Sequence, residues 1–166
     1  MIALPPDGIW LDLGCGASKQ PHTIGLDRRA LPGVDIVHDL EVLPYPLPDA
    51  CCYRMLASHI VEHLNPALVF AILDEWWRLM RPHGQLLIAT PYAGSPRFWQ
   101  DPSHRHGWME ATAQYFDPDY PLWKVYEPRP WKIEENAWHS VHDLNIILSK
   151  RPGKQPCEGA DVSSHD

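Results

Sequence analysis

The segment Ile9-Trp10-Leu11-Asp12-Leu13-Gly14-Cys15-Gly16 constrains this chain most. An apolar run turns at two glycines, and a second run, Thr23-Ile24-Gly25-Leu26-Asp27, ends in a carboxylate. Glycines in such a turn let the backbone approach a ligand closely. An acid at the end of the next strand can accept both hydroxyl hydrogens of a ribose. Together the two halves outline a site for an adenosine-bearing ligand.

Further short apolar runs at Val34 to His38, Cys51 to Ala57 and Gln85 to Thr90 end in polar or glycine punctuation and read as buried parallel strands. Asn65-Pro66 offers a cap and a first-turn proline for a helix that Pro82-His83-Gly84 should stop after about Arg81. On it Leu68, Ile72, Trp76 and Leu79 share one face, the pattern of a helix packed on a sheet. A weaker helix is expected over Trp108 to Tyr115. Trp131 to Trp138 and Asp143 to Lys150 should close the sheet as a hairpin-like end. The expected class is α/β: a Rossmann-like, mostly parallel sheet with reduced helices in its N-terminal half and an antiparallel C-terminal strand.

The reduction follows from loop length. Gly14 to His22 and Arg28 to Gly33 are shorter than the roughly 10 to 12 residues a parallel crossover normally takes. One sheet face then lacks its usual helices, and a homodimer is the expected remedy; Pro-rich loops and tryptophans folding back over the face are the alternative. With 166 residues the chain reads as one domain over 1–150, and Pro152, Gly153, Gln155, Ser163 and Ser164 mark 151–166 as a flexible tail.

A net charge of −7 makes the chain a poor match for a phosphate backbone, so nucleic acid is not an expected partner. No apolar run reaches the roughly 18 residues that span a bilayer, and the start lacks a signal-peptide pattern. Cys15, Cys51, Cys52 and Cys157 show neither zinc-pair spacing nor a disulfide framework. A cytoplasmic protein is expected.

Leu11 to Gly16, Gly25-Leu26-Asp27, Val37-His38-Asp39-Leu40, Ala57-Ser58-His59-Ile60-Val61-Glu62-His63-Leu64 and Arg81 to Leu86, in this order and spacing, resemble class I S-adenosylmethionine-dependent methyltransferases, nearest the small type 11 group. The resemblance covers about residues 9 to 91. It implies S-adenosyl-L-methionine as cofactor, with Asp12, Leu13, Gly14, Cys15 and Gly16 at the methionine part, Asp27 at the ribose, Asp39 and Leu40 at the adenine, and Ser58 and His59 between cofactor and substrate. After Gly16 the chain departs from the pattern. Ala17-Ser18 replaces a third glycine and Lys19-Gln20-Pro21 replaces a helix, which also disfavours a nicotinamide cofactor with its pyrophosphate.

The loop Phe98-Trp99-Gln100-Asp101-Pro102-Ser103-His104-Arg105-His106-Gly107-Trp108 matches an Asp-Pro-Ser/Thr-His segment that faces the acceptor in the resembled group. Tyr92, Trp99, Asp101, Arg105 and Trp108 are thus the candidate substrate-binding residues, and His59, His104 and His106 the candidate bases. A folded lid held by Asp101 and His104 is the bland alternative. The expected activity is methyl transfer to oxygen or nitrogen of a small polar or sugar-like acceptor, and a protein that binds the cofactor without catalysis is the alternative. His59-Ile60-Val61-Glu62-His63 also spells an inverted zinc-protease signature, with Glu135 as a conceivable third ligand. Because a pentapeptide matches by chance, the zinc-hydrolase reading is set aside and no metal is assigned.

Overall fold

Strand formation follows the apolar runs. In the computed structural model, which describes residues 5–139 and 142–151, these become β1 (Ile9–Leu13), β2 (Ile24–Asp27), β3 (Ile36–Val37), β4 (Cys52–Ser58), β5 (Met80–Pro91), β6 (Trp131–Trp138) and β7 (Asp143–Lys150). They form one sheet in the order β3-β2-β1-β4-β5-β7-β6. The first five are parallel, while β7 runs antiparallel to both β5 and β6. The expected tail, Arg151 apart, lies outside the described residues.

Two strands differ from expectation. β3 is reduced because Val34 N closes a turn onto Leu31 O, so the start of that run serves the turn. β5 begins early, at Met80. Pro82-His83-Gly84 does not end the pairing but interrupts it: Cys52 pairs with Met80 and Arg54 with Gln85, and His83 has φ +63°. Such an irregularity absorbs extra residues within a ladder.

The helical cover is sparse. Asn65 Oδ1 accepts the Ala67 N–H at 3.1 Å and Pro66 opens a 3-10 turn that leads into α1 (Val69–Leu79). Ile72, Leu73, Trp76 and Leu79 are completely buried, against Leu11, Leu13, Met55, Leu86 and Ile146 in the same core. Trp76 Nε1 donates to Tyr45 Oη at 3.0 Å, Tyr45 Oη donates to Leu40 O at 2.9 Å, and the Tyr45 N–H donates to Glu75 Oε1 at 2.7 Å. This network fastens the proline-rich segment 43–48 to the helix.

The opposite face is open. Trp10, Arg54, Leu56, Leu87 and Ile147 share it through the strand register and are only partly buried, with the Arg54 guanidinium 5.2 Å from the Trp10 ring centre. Between β5 and β6 the chain makes a long excursion containing α2 (Pro96–Trp99) and α3 (Glu110–Ala113). No helix among the described residues is long and apolar enough to cross a membrane.

Candidate functional site

The strand order reverses between β1 and β4, and the crevice beyond the carboxyl ends of the strands at such a point is where open α/β sheets bind ligands. The turn after β1 is built for close approach. Gly14 has φ +66°, and a Cβ there would lie 2.6 and 2.7 Å from Ile60 Cγ1 and Cδ1. Only glycine fits both the backbone and the space. Gly14 N and Cys15 N donate to Leu26 O at 2.7 and 3.1 Å, tying the turn to β2.

Gly25 explains how a loop replaces the crossover helix. A Cβ at this position would meet Lys19 Cδ at 2.6 Å and Cys15 Sγ at 2.7 Å, so the loop after β1 lies directly on β2. Asp12 Oδ2 accepts the Gln20 N–H at 2.8 Å, and burial pushes the Asp12 carboxyl up from its ordinary value. Asp27 Oδ2 accepts the Gly16 N–H at 2.9 Å, while Oδ1 accepts Arg29 N at 2.8 Å and Arg29 Nε at 3.1 Å. Burial pushes Asp27 up, but these hydrogen bonds outweigh it and hold the carboxyl below its usual range.

A cavity of about 410 Å³ opens at this edge, bounded by Gly14, Asp27, Arg28, Arg29, Asp39, Leu40, Glu41, His59, Ile60, His63, Leu64, Ser103 and Arg105. Five of the ten expected cofactor residues line it: Gly14, Asp27, Asp39, Leu40 and His59. Asp12 and Gly16 act instead through the hydrogen bonds that shape the loop, and Leu13, Cys15 and Ser58 do not line the cavity. Glu41 is a residue that sequence reasoning missed; its Oε1 accepts Asn65 N at 2.8 Å and lies 3.5 Å from Arg105 Nη1. Its nearness to Asp39 in the chain was the available signal.

The donor set suits an adenosine-type cofactor. Three of roughly four acceptor positions on the Asp27 carboxylate are used, and one of the three donors, Arg29 Nε, belongs to a side chain 60% exposed that is free to swing aside for a diol. Asp39 and Leu40 stand together on the wall, an acceptor beside an apolar cover.

The other wall follows β4. His59 sits at the strand end with φ +52°, an unfavourable conformation for a residue with a Cβ. Glu62 Oε1 lies 3.5 Å from His59 Nδ1 and draws the histidine above its ordinary pKa. Glu62 is completely buried. Its backbone carbonyl accepts Arg105 N at 2.8 Å and His106 N at 3.2 Å, so the excursion after β5 folds back onto the β4 turn. This brings His104 Nε2 to 4.0 Å from Glu62 Oε1. Burial alone pushes His106 down.

Not every expected substrate residue reaches the cavity. Arg105 does. Trp108 is a correction: it is completely buried, stacked on Phe116 with ring centres 6.1 Å apart, because its bridge to Tyr92 draws it into the core. Trp99 is 76% exposed, Tyr92 packs on Trp138, and Asp101 caps Ser103; none of them lines the cavity. The zinc-hydrolase ligand set also fails. Val61–His63 is a single 3-10 turn rather than a helix, and Glu135 lies on β6, separated from β4 by β5 and β7.

No family model matches the chain. A probable S-adenosylmethionine-dependent methyltransferase of Mycolicibacterium smegmatis is 33% identical over 98 residues, 49% of this chain and 37% of the relative, so the match spans little more than a third of that protein. Among solved structures, an S-adenosylmethionine-dependent methyltransferase from Archaeoglobus fulgidus aligns with TM-score 0.62 and 21% identity over 85% of each chain. The 1,6-didemethyltoxoflavin-N1-methyltransferase of Burkholderia thailandensis, solved with 1,6-didemethyltoxoflavin and S-adenosylhomocysteine, aligns with TM-score 0.63 and 15% identity over 86% of this chain and 71% of its own. With its strand order and the glycine turn at the switch point, the chain has the class I S-adenosylmethionine-dependent methyltransferase fold.

Proposed function

We propose that the protein is an S-adenosylmethionine-dependent methyltransferase acting on oxygen or nitrogen of a small polar acceptor. The observation that carries this reading is the convergence of Gly14, Asp27, Asp39 and Leu40 on one cavity at the switch point. The bound cofactor supplies a methyl group already activated on a positively charged sulfur. Gly14 admits the methionine part, Asp27 accepts from the ribose hydroxyls, Asp39 accepts from the adenine amine and Leu40 covers the purine.

Because the leaving group is preformed, the chain's main task is alignment of the acceptor, with proton removal needed only for a protonated nucleophile. Arg105 holds a polar acceptor from the opposite wall, and His59 takes its proton. Both line the same cavity as Asp27. Short loops in place of the crossover helices favour a second reading, cofactor binding without turnover. Cytoplasmic location and a homodimer joined through the open sheet face remain part of the proposal, and a monomer by light scattering at micromolar concentration removes the dimer.

Calorimetric titration with S-adenosylmethionine, S-adenosylhomocysteine and NAD tests the reading. Saturable binding of the first two alone is expected, and turnover in an acceptor screen decides between enzyme and binder. Binding of NAD alone overturns both readings.

A further inference from the structure

Glu62 poses a problem that methyl transfer does not solve. Its carboxylate is completely buried; Oε2 accepts Thr90 Oγ1 at 3.1 Å, but Oε1 accepts no hydrogen bond. A buried carboxylate oxygen left in this state is costly, so such an oxygen calls for a proton or a cation.

The histidines around it are prepared as lone-pair donors. His104 Nδ1 lies 2.7 Å from Phe98 O, and a carbonyl can only accept, so the ring proton sits on Nδ1. Neutral His104 therefore turns a lone pair at Nε2 toward Glu62 Oε1 at 4.0 Å and Asp101 Oδ2 at 3.8 Å. At His63 the logic repeats. Ser103 Oγ gives its hydrogen to Asp101 Oδ1 at 2.7 Å, so at 3.2 Å from His63 Nδ1 it must accept, and His63 Nε2 keeps its lone pair. Metal-binding histidines are oriented in this way, by a partner on the other ring nitrogen.

We propose that Glu62, His63 and His104 bind a divalent cation of the zinc class at the acceptor side of the cavity. One donor atom from each lies within 4.8 Å of the others. Tetrahedral zinc with bonds of about 2.0–2.1 Å needs about 3.3 Å between ligand atoms, a contraction of rotamer size. His59 Nδ1, 3.5 Å from Glu62 Oε1, and Asp101, beside His104, are the other charged or titratable groups facing the site; Asp101 adds the second negative charge a dication requires. His63 and Ser103 line the cavity whereas Glu62 and His104 stand behind it, so the open coordination position faces the acceptor. The ligand set differs from the pentapeptide signature, because His104 is contributed by a distant loop.

The competing solution is a protonated His59, whose Nδ1 lies 3.5 Å from Glu62 Oε1, with no metal. The test uses the full chain, stripped with chelator and titrated with zinc chloride by calorimetry and with cobalt by visible absorption. One equivalent should bind, with cobalt bands of low-coordinate geometry. His63→Ala, a change at a partly exposed position, and Glu62→Gln should each weaken binding more than about 100-fold, beyond the 10- to 100-fold typical of an orienting partner; His83→Asn, on the far loop, should not. Absence of stoichiometric binding, or equal affinity in folded His63→Ala, overturns the site. S-adenosylmethionine titration of the stripped protein reads the methyltransferase proposal separately.

Discussion

The two walls of the cavity are opposites. On the β1–β3 side every carboxylate is already satisfied by the backbone: Asp12 by Gln20, Asp27 by Gly16 and Arg29, Asp39 by Glu41. On the β4–β5 side Glu62 keeps a bare oxygen among histidines, and His59 holds a positive φ. A satisfied wall is preorganised to receive one ligand with little rearrangement. An unsatisfied one stores unfavourable contacts that substrate, proton or metal can relieve, which is where chemistry is expected.

Asp27→Ala should separate the walls most sharply. Losing charge-assisted hydrogen bonds worth about 1.5–3 kcal/mol each should weaken S-adenosylmethionine binding about 100-fold by calorimetry. Unchanged affinity would remove Asp27 from the cofactor wall. Gly14→Ala strikes the point where the walls touch, since the new methyl would press on Ile60 in a conformation that costs about 1–2 kcal/mol for an L-residue. Thermal melting should fall accordingly, and a stability equal to wild type would mean that the contact yields freely.

His104→Ala tests the other wall. Turnover should drop about 100-fold, the low end of general acid–base effects, while cofactor affinity holds; equal loss of affinity would erase the division. Acidity has the smallest expected effect. Asp27 is held below its ordinary pKa, so its stabilisation is complete above the unfolded value of about 3.9 and is lost only as pH falls through the lower folded value. Cofactor affinity, once corrected for other groups, should therefore stay flat from pH 7 to about 5. A midpoint within that window would show that Asp27 is not so stabilised.

The same contrast explains what could be read from residue order. β1, the glycine turn and the Asp27 carboxylate are local in the chain, and β1 spans the run expected for it. Asn65-Pro66 and the spacing of Ile72, Trp76 and Leu79 announced α1 for the same reason. The loops too short for crossover helices were legible by length, and the half-open face with Trp10, Leu56, Leu87 and Ile147 is their consequence. Glu62 and His104 meet only because the excursion after β5 returns its backbone to the Glu62 carbonyl, a tertiary event without a local signature. Trp108 misled because an aromatic within a polar loop gives no sign that a bridge to Tyr92 will bury it.

A structure of the protein with S-adenosylhomocysteine bound would decide whether Asp27, Asp39 and Leu40 hold the cofactor. The ribose hydroxyls are expected on the Asp27 carboxylate, with the Arg29 side chain displaced, and adenine between Asp39 and Leu40. A ligand seated elsewhere, or a ribose that leaves Asp27 untouched, would contradict it.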